Sequence, residues 1–455
     1  MPKQDDLNLH KLKIEEFLKD PTNSNISPLE IAKAFKDIKK VDKELFIKHL
    51  KEIPNEYIGD IALELPDEYL KDLLREIPKS DLVEAVEELE SDDATDLIQE
   101  IEDIDKQKAN EILSSLNQQD QEEIKKLKSY KDDVAGAYMQ TELFWANYEE
   151  IIEDSIKRLK QEKEKKELEN IYQVYITGTF NRLLFAIALE DLITFDFSKT
   201  YKEILSQDKD KYKPIYARDT DDIKKVAQIF QEHDLPVLPI VNYHGELVGR
   251  ITADDIHDVI EERATEQIYN LAGVDDEAEE EESLFQAGKS RATWLFINLL
   301  TAIAASIVIG FFQDSIQAYV ALAVLMPIVA SMGGNAGTQT LTVTVRQLAL
   351  GDIELTNAKE TIKKEVTLSL ANGFIFAFVL GIIAYVWFHQ ALLGVVIAIS
   401  MVINLFFAGF FGAVIPLLLK KANIDPAVGS SVVLTTITDV VGFFSFLGLA
   451  SWILL

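Results

Sequence analysis

The 455 residues carry 45 Lys and Arg against 76 Asp and Glu, a net charge of -31, and contain no Cys. A chain of this length divides into several cores. Its acidity excludes a nucleic-acid partner, which needs Lys and Arg to neutralise phosphates, and the missing thiols exclude disulfide frameworks, zinc thiolates and iron–sulfur clusters. The charge is unevenly spread: residues 1–291 hold 39 basic and 69 acidic side chains, and residues 292–455 only 6 and 7. That split marks an acidic soluble part joined to a membrane part. The opening MPKQDDLNLHKLKIEEF has no apolar run, so a cleavable signal peptide is not expected and the soluble part is expected in the cytosol.

The first expected domain, residues 1–130, is helical with a repeat. An apolar residue followed by a breaker or polar residue recurs every 12 positions: Ile53-Pro54, Leu65-Pro66, Ile77-Pro78, Leu89-Glu90, Ile101-Glu102 and Leu113-Ser114. Each unit has room for one short helix and a turn, which predicts a stacked superhelix, with a plain helical bundle as the alternative.

Next come two αβ units, expected over 131–199 and 200–260. In the second, helix DDIKKVAQIFQEH leads into strand VLPIV, turn NYHGE, strand LVGRIT and helix ADDIHDVI. That order resembles a CBS domain. In that family the Thr and Asp of a T-x-x-D step, here Thr252 and Asp255, commonly hold the ribose of an adenine nucleotide, so ATP is the implied cofactor. The upstream stretch IYQVYITGTFNRLLFAIALEDLI repeats the order in degenerate form, with Ala188 in the place of Thr252 and Asp191 in that of Asp255. Two CBS copies pair into one module. A connecting helix is expected over 261–291, continuing out of this module and reaching the membrane beside Lys289 and Arg291. Its acid run, Asp275 to Glu282, reads as a solvated face.

Residues 292–455 contain five apolar stretches, roughly Trp294–Phe312, Ala318–Val345, Val366–Phe388, Ala391–Leu419 and Val428–Leu455. Each is near or above the ~20 residues that cross the bilayer. Lys289, Arg291, Arg346, Lys359, Lys363, Lys364, Lys420 and Lys421 all fall on one side of such a bundle. The positive-inside rule makes that side cytosolic. The N-terminus is then inside, the C-terminus outside, and the location the cytoplasmic membrane with its lipid.

An ionisable residue inside a span is costly and therefore a functional candidate. Asp439 is the one such residue, on a face with Ser431, Thr435 and Gly442; the alternative is a carboxyl bonded to a neighbouring helix. In the second span, MPIVASMGGNAGTQTLTVTVRQ, Pro327, Gly333, Gly334 and Gly337 predict local unwinding or close packing. Asn335, Gln339, Thr342 and Arg346 continue a polar face. Asn404, Ala408, Gly412 and Pro416 share a face of the fourth span and read as packing. One acid per chain means that a homodimer would bring two carboxylates to an axial path. Magnesium keeps much of its water and accepts few carboxylates, which suits a wide hydrated site.

Together these parts resemble the MgtE family of magnesium channels. The matching motifs are the P-x(5)-G-G-N-x-G-x-Q step from Pro327 to Gln339, the TTITDVVGF segment around Asp439, and ATEQIYNLAGVD after the second CBS copy. The resemblance implies a multidomain chain: superhelical N-domain, CBS pair, connecting plug helix and five-span helical membrane domain (292–455). It implies Mg2+ bound at Asp439 on the axis of a homodimeric pore, lined by Asn335 and Thr338. It also implies a cytosolic Mg2+ sensor at Asp92, Asp93, Asp96, Asp255, Asp258, Glu261, Glu262 and Glu266, whose ions hold the pore shut. Arg263 and Gln267 depart from the acids found in some relatives. The competing readings are a transporter of another divalent ion such as Co2+ and a non-conducting membrane-anchored sensor. Enzymatic activity is not expected. His233, His244 and His257 have no catalytic partners at motif spacing, and no P-loop occurs.

Overall fold

The computed structural model describes residues 4–165, 168, 170–274, 284–353 and 357–455. Two compact units, Met1–Glu261 and Glu262–Leu455, divide the chain.

The first unit begins with α1 (Gln4–Lys19), α2 (Pro28–Val41) and α3 (Lys43–Leu50). Ser27 and Glu30 form a capping box that starts α2. The repeat follows as α4 (Asn55–Leu63), α5 (Asp67–Glu76), α6 (Lys79–Glu87), α7 (Ser91–Ile104), α8 (Lys106–Leu113) and α9 (Gln118–Leu127). Pro54, Pro66 and Pro78 stand in extended conformation immediately before α4, α5 and α6. Proline has no N–H to lose there and a fixed φ, so each marks a helix start. The apolar partners Ile53, Leu65 and Ile77 are buried in the common core. The expected break at Ile101-Glu102 is absent. With no proline there, α7 runs on to Ile104, and Asp105 caps α8 by accepting from the Lys108 N–H.

Two sheets of identical topology follow. β1 (Trp145–Asn147) runs parallel to β2 (Gln173–Thr177), which is antiparallel to β3 (Leu183–Ala188). The crossover is α10 (Ile152–Glu164), and α11 (Leu189–Leu192) and α12 (Tyr201–Leu205) close the copy. β4 (Ala217–Arg218), α13 (Ile223–His233), β5 (Val237–Val241) and β6 (Leu247–Thr252) repeat the pattern. The two copies meet turn to turn, where the Leu183 N–H donates to the Gly245 carbonyl at 3.0 Å. Gly245 has φ of 79°, which suits a residue without Cβ.

α14 (Ala253–Ala272) leaves the second copy as one unbroken helix. It stops at Gly273, whose φ is 71°, so the connecting helix ends well before residue 291. The acid run Asp275–Glu282 lies outside the described residues. The second unit then holds α15 (Leu284–Gly310), short α16 (Gln313–Ala318), α17 (Val320–Ala349), α18 (Ala358–Phe388), α19 (Ala391–Lys421) and α20 (Ser430–Leu454). Five of these are long and apolar enough to cross a membrane.

Two expectations need correction here. The second span does not unwind: α17 is continuous through Pro327 and the glycines. Its glycines make close crossings instead, since a Cβ on Gly337 would lie 3.1 Å from Leu434 of α20. Asp439 is also not the sole acid within a membrane helix. α18 starts at Ala358, ahead of the apolar run, so Glu365 lies two turns inside it and is buried. The small-residue face of α19 is packing, with Asn404, Ala408, Gly412 and Pro416 all buried.

Candidate functional site

α20 places Ser431, Thr435 and Asp439 half-buried on successive turns of one face. The hydroxyls turn back on their own helix: Thr435 donates to the Ser431 carbonyl at 2.9 Å, and Thr438 to that of Thr435 at 3.0 Å. Among the described residues the Asp439 carboxylate has no hydrogen bond or ion pair, so none of the described helices satisfies it. Asn335, Thr338, Gln339, Thr342 and Arg346 form an exposed polar stripe on α17. Within it, Asn335 donates to Ser331 Oγ at 3.3 Å. Exposed amides and hydroxyls at bilayer depth are stable only against protein or water. Thr340 and Thr344, on the other side of α17, are buried.

The basic residues keep to one set of helix ends. Arg346 is in the last turn of α17, Lys359 begins α18 with Lys363 and Lys364 a turn on, and Lys420 and Lys421 end α19.

In the first unit a seam of carboxylates joins α7 to the start of α14. Thr252 donates its N–H (3.2 Å) and hydroxyl (2.6 Å) to Asp255 Oδ2, fixing that carboxylate at the N-terminus of α14. Asp92 is buried, and burial followed by Asp255 and Asp93 pushes its carboxyl well up. Asp93 is raised to about 7 by burial and then by Asp255. Asp96, at the rim, is raised to about 6 by the protein crowded around it and by Asp255. Asp255 is itself raised by burial, against the lowering effect of Thr252. Asp258 is raised by burial and by Glu261. Glu262 and Glu266 lie further along α14 at a spacing of four residues, with Arg263 and Gln267 half-buried beside them.

Sequence reasoning missed two participants. Asp60 faces Asp93, and Glu64, raised by burial and then by Asp258, faces the α14 side. They are four residues apart at the end of α4, a spacing that puts both on one helix face and could have drawn notice.

A charged hydrogen-bond network flanks the seam. Arg250, buried on β6, donates Nε to Gln140 Oε1 (3.1 Å) and Nη1 to the Asn170 carbonyl (2.9 Å), and lies 3.5 Å from Glu90. Gln140 donates to Glu90 at 2.8 Å, while Ser91 donates to Glu142 at 2.9 Å. These bonds tie the start of α7 to the CBS-like sheets and bring Asp92, Asp93 and Asp96 against Asp255. Among the described residues no three His, Asp or Glu converge on one ion position. All-oxygen donors in loose array suit a hard cation that keeps its water, held by one or two carboxylates at a time.

A paired αβ module joined to five membrane helices, with the Asp439 carboxylate set in one of them and without a partner among the described residues, defines a membrane protein of the cation-transport class. The divalent cation transporter domain of the MgtE family matches residues 326–449, the MgtE intracellular N domain residues 26–133, and a CBS domain residues 208–262. The magnesium transporter MgtE of Thermus thermophilus is 33% identical over 334 residues, covering 73% of this chain and 72% of that one. That of Enterococcus faecalis is 33% identical over 329 residues, covering 72% and 71%. The chain belongs to the MgtE family. A crystal structure of the cytosolic domain of the Mg2+ channel MgtE in complex with ATP is 25% identical, with a TM-score of 0.47, and covers 55% of this chain and 99% of that one.

Proposed function

We propose that this protein carries Mg2+ across the cytoplasmic membrane, gated by Mg2+ at the acidic cytosolic seam. The observation that carries the reading is Asp439, a carboxylate midway along a membrane helix with no hydrogen bond or ion pair among the described residues. The relatives named as magnesium transporters support the same substrate. Asn335 and Thr338 line the path with Asp439, and the exposed stripe of α17 meets its counterpart in a homodimer. The basic helix ends face the cytosol, which leaves the C-terminus outside.

A hydrated Mg2+ leaves its coordination shell largely intact, so a carboxylate, an amide and hydroxyls suffice to bind and release it. At the seam, ionised Asp92, Asp93, Asp96, Asp255 and Asp258 repel one another until a divalent cation neutralises them. Glu261, Glu262 and Glu266 extend that field along α14. Cation binding holds the N-domain docked, cation loss loosens it, and α14 relays the change. Thr252 and Asp255 would hold the ribose of ATP, and because Asp255 serves both ligands, the two compete there. Proteoliposome flux of Mg2+ against Co2+, with and without Asp439→Ala, tests the transport reading. Co2+ carried in preference to Mg2+ would move the substrate.

A further inference from the structure

We propose that Asn404 is a positioning residue that sets the spacing of α17 against α20 and thereby the cation selectivity of the path. The proposal rests on the transport reading above and names the device that fixes the width of that path.

Asn404 lies near the middle of α19 and is fully buried. Its Nδ2 donates to the Val329 carbonyl of α17 at 2.8 Å. Its Oδ1 is buried and has no hydrogen-bond partner. The side chain sits in a slot made by two absent side chains. A Cβ on Gly333 of α17 would lie 2.7 Å from Asn404 Oδ1 and 2.8 Å from its Cγ, and a Cβ on Gly442 of α20 would lie 3.0 Å from Nδ2. One amide thus touches both proposed lining helices where each lacks a side chain. Gly442 is one turn from Asp439 on α20, and Gly333 is within two turns of Asn335 and Thr338 on α17.

In an apolar setting a half-satisfied amide is a costlier filling than Leu, which has the same branched skeleton with bulkier ends. The amide adds direction. The bond to Val329 fixes the level of α17 against α19, as a polar residue in an apolar seam fixes register. Steric contact with Gly333 and Gly442 sets how closely the two helices approach at the depth of Asp439. A second crossing on the same face holds the geometry below it: a Cβ on Gly412 would lie 2.8 Å from the Gly337 carbonyl. A hydrated ion is read by the diameter and the donors of its path, so the slot acts on selectivity without touching the ion.

The test is flux in proteoliposomes of the full chain, read for Mg2+, Ca2+ and Co2+ separately, with monodisperse elution as the folding control. Asn404→Leu should fold and conduct but lose about three- to fifteen-fold in Mg2+ preference, the range expected for one interhelical bond in a bilayer. Gly333→Ala should abolish flux by collision with Asn404, and Gly333→Ala with Asn404→Ala should restore it with broadened selectivity. Wild-type flux and selectivity in Asn404→Leu would overturn the proposal. Failure of Asn404→Ala to rescue Gly333→Ala would overturn it too, and that pair decides if Asn404→Leu does not fold. A wild-type protein that carries no cation would overturn the transport reading itself, an outcome distinct from a mutant-specific result.

Discussion

Replacing Asp93 by Asn tests how the acidic seam responds to charge. In the docked arrangement its carboxyl is held at about 7 against an ordinary 3.8, by burial and by Asp255. Each tenfold step in that equilibrium corresponds to about 1.4 kcal/mol, so ionised Asp93 opposes docking at pH 8 by up to about 4 kcal/mol, roughly a thousandfold. The sign follows from the raised value. Docking is strongest below about pH 4, where the group keeps its proton docked or free, and weakens steadily as pH climbs from there to about 7, levelling off once Asp96 and then Asp93 ionise in the docked state. Without divalent cation the wild type should therefore dock less at pH 8 than at pH 5.5, while Asp93→Asn should need far less Mg2+ at pH 8. The chain has no native Cys, so labels at Ser80→Cys and Ser198→Cys, both exposed, report the separation by energy transfer in full-length protein diluted with unlabelled copies. A Mg2+ midpoint that is identical at pH 5.5 and pH 8 in the wild type would refute the reasoning. So would Asp93→Asn protein that undocks more readily.

Other consequences follow from the same geometry. Asp258→Ala with Glu266→Ala should raise the Mg2+ midpoint for protection of the cytosolic part from protease, and unchanged digestion patterns would count against the sensor. Arg250→Ala strips partners from Gln140, Asn170 and Glu90 at a buried position. It should destabilise the first unit by about 3 kcal/mol, seen as a lower midpoint in thermal or urea unfolding. Asn335→Cys should cross-link two copies in membranes under oxidation, whereas Trp452→Cys, on an exposed apolar position of α20, should not. Equal cross-linking at both sites would argue against a homodimer seam along the α17 stripe.

Much of the architecture was legible because strong local rules act there. Prolines at fixed intervals start α4, α5 and α6, and the strands VLPIV and LVGRIT coincide with β5 and β6. The five spans announce themselves by length, since nothing else keeps about 20 apolar residues in register with a bilayer. The local rules fail where packing decides. Glycines in α17 permit unwinding and close crossing equally well by propensity, and only the partners Asn404 and Leu434 show which is used. Glu365 was hidden because helix α18 begins before its apolar run. At the seam the acids of α7 and α14 could be named from family motifs. The spacing of Asp60 and Glu64 marks a shared face of α4, but which way the superhelix turns that face is decided by packing.

Everything proposed for the membrane unit turns on Asp439 lying on a magnesium path. The most direct test is Mg2+ entry into liposomes carrying the purified full chain, wild type beside Asp439→Ala, reported by a lumenal dye. Entry is expected with the wild type and none with the variant, both eluting as the same folded oligomer. Equal entry with both would contradict it and place the path elsewhere in the bundle.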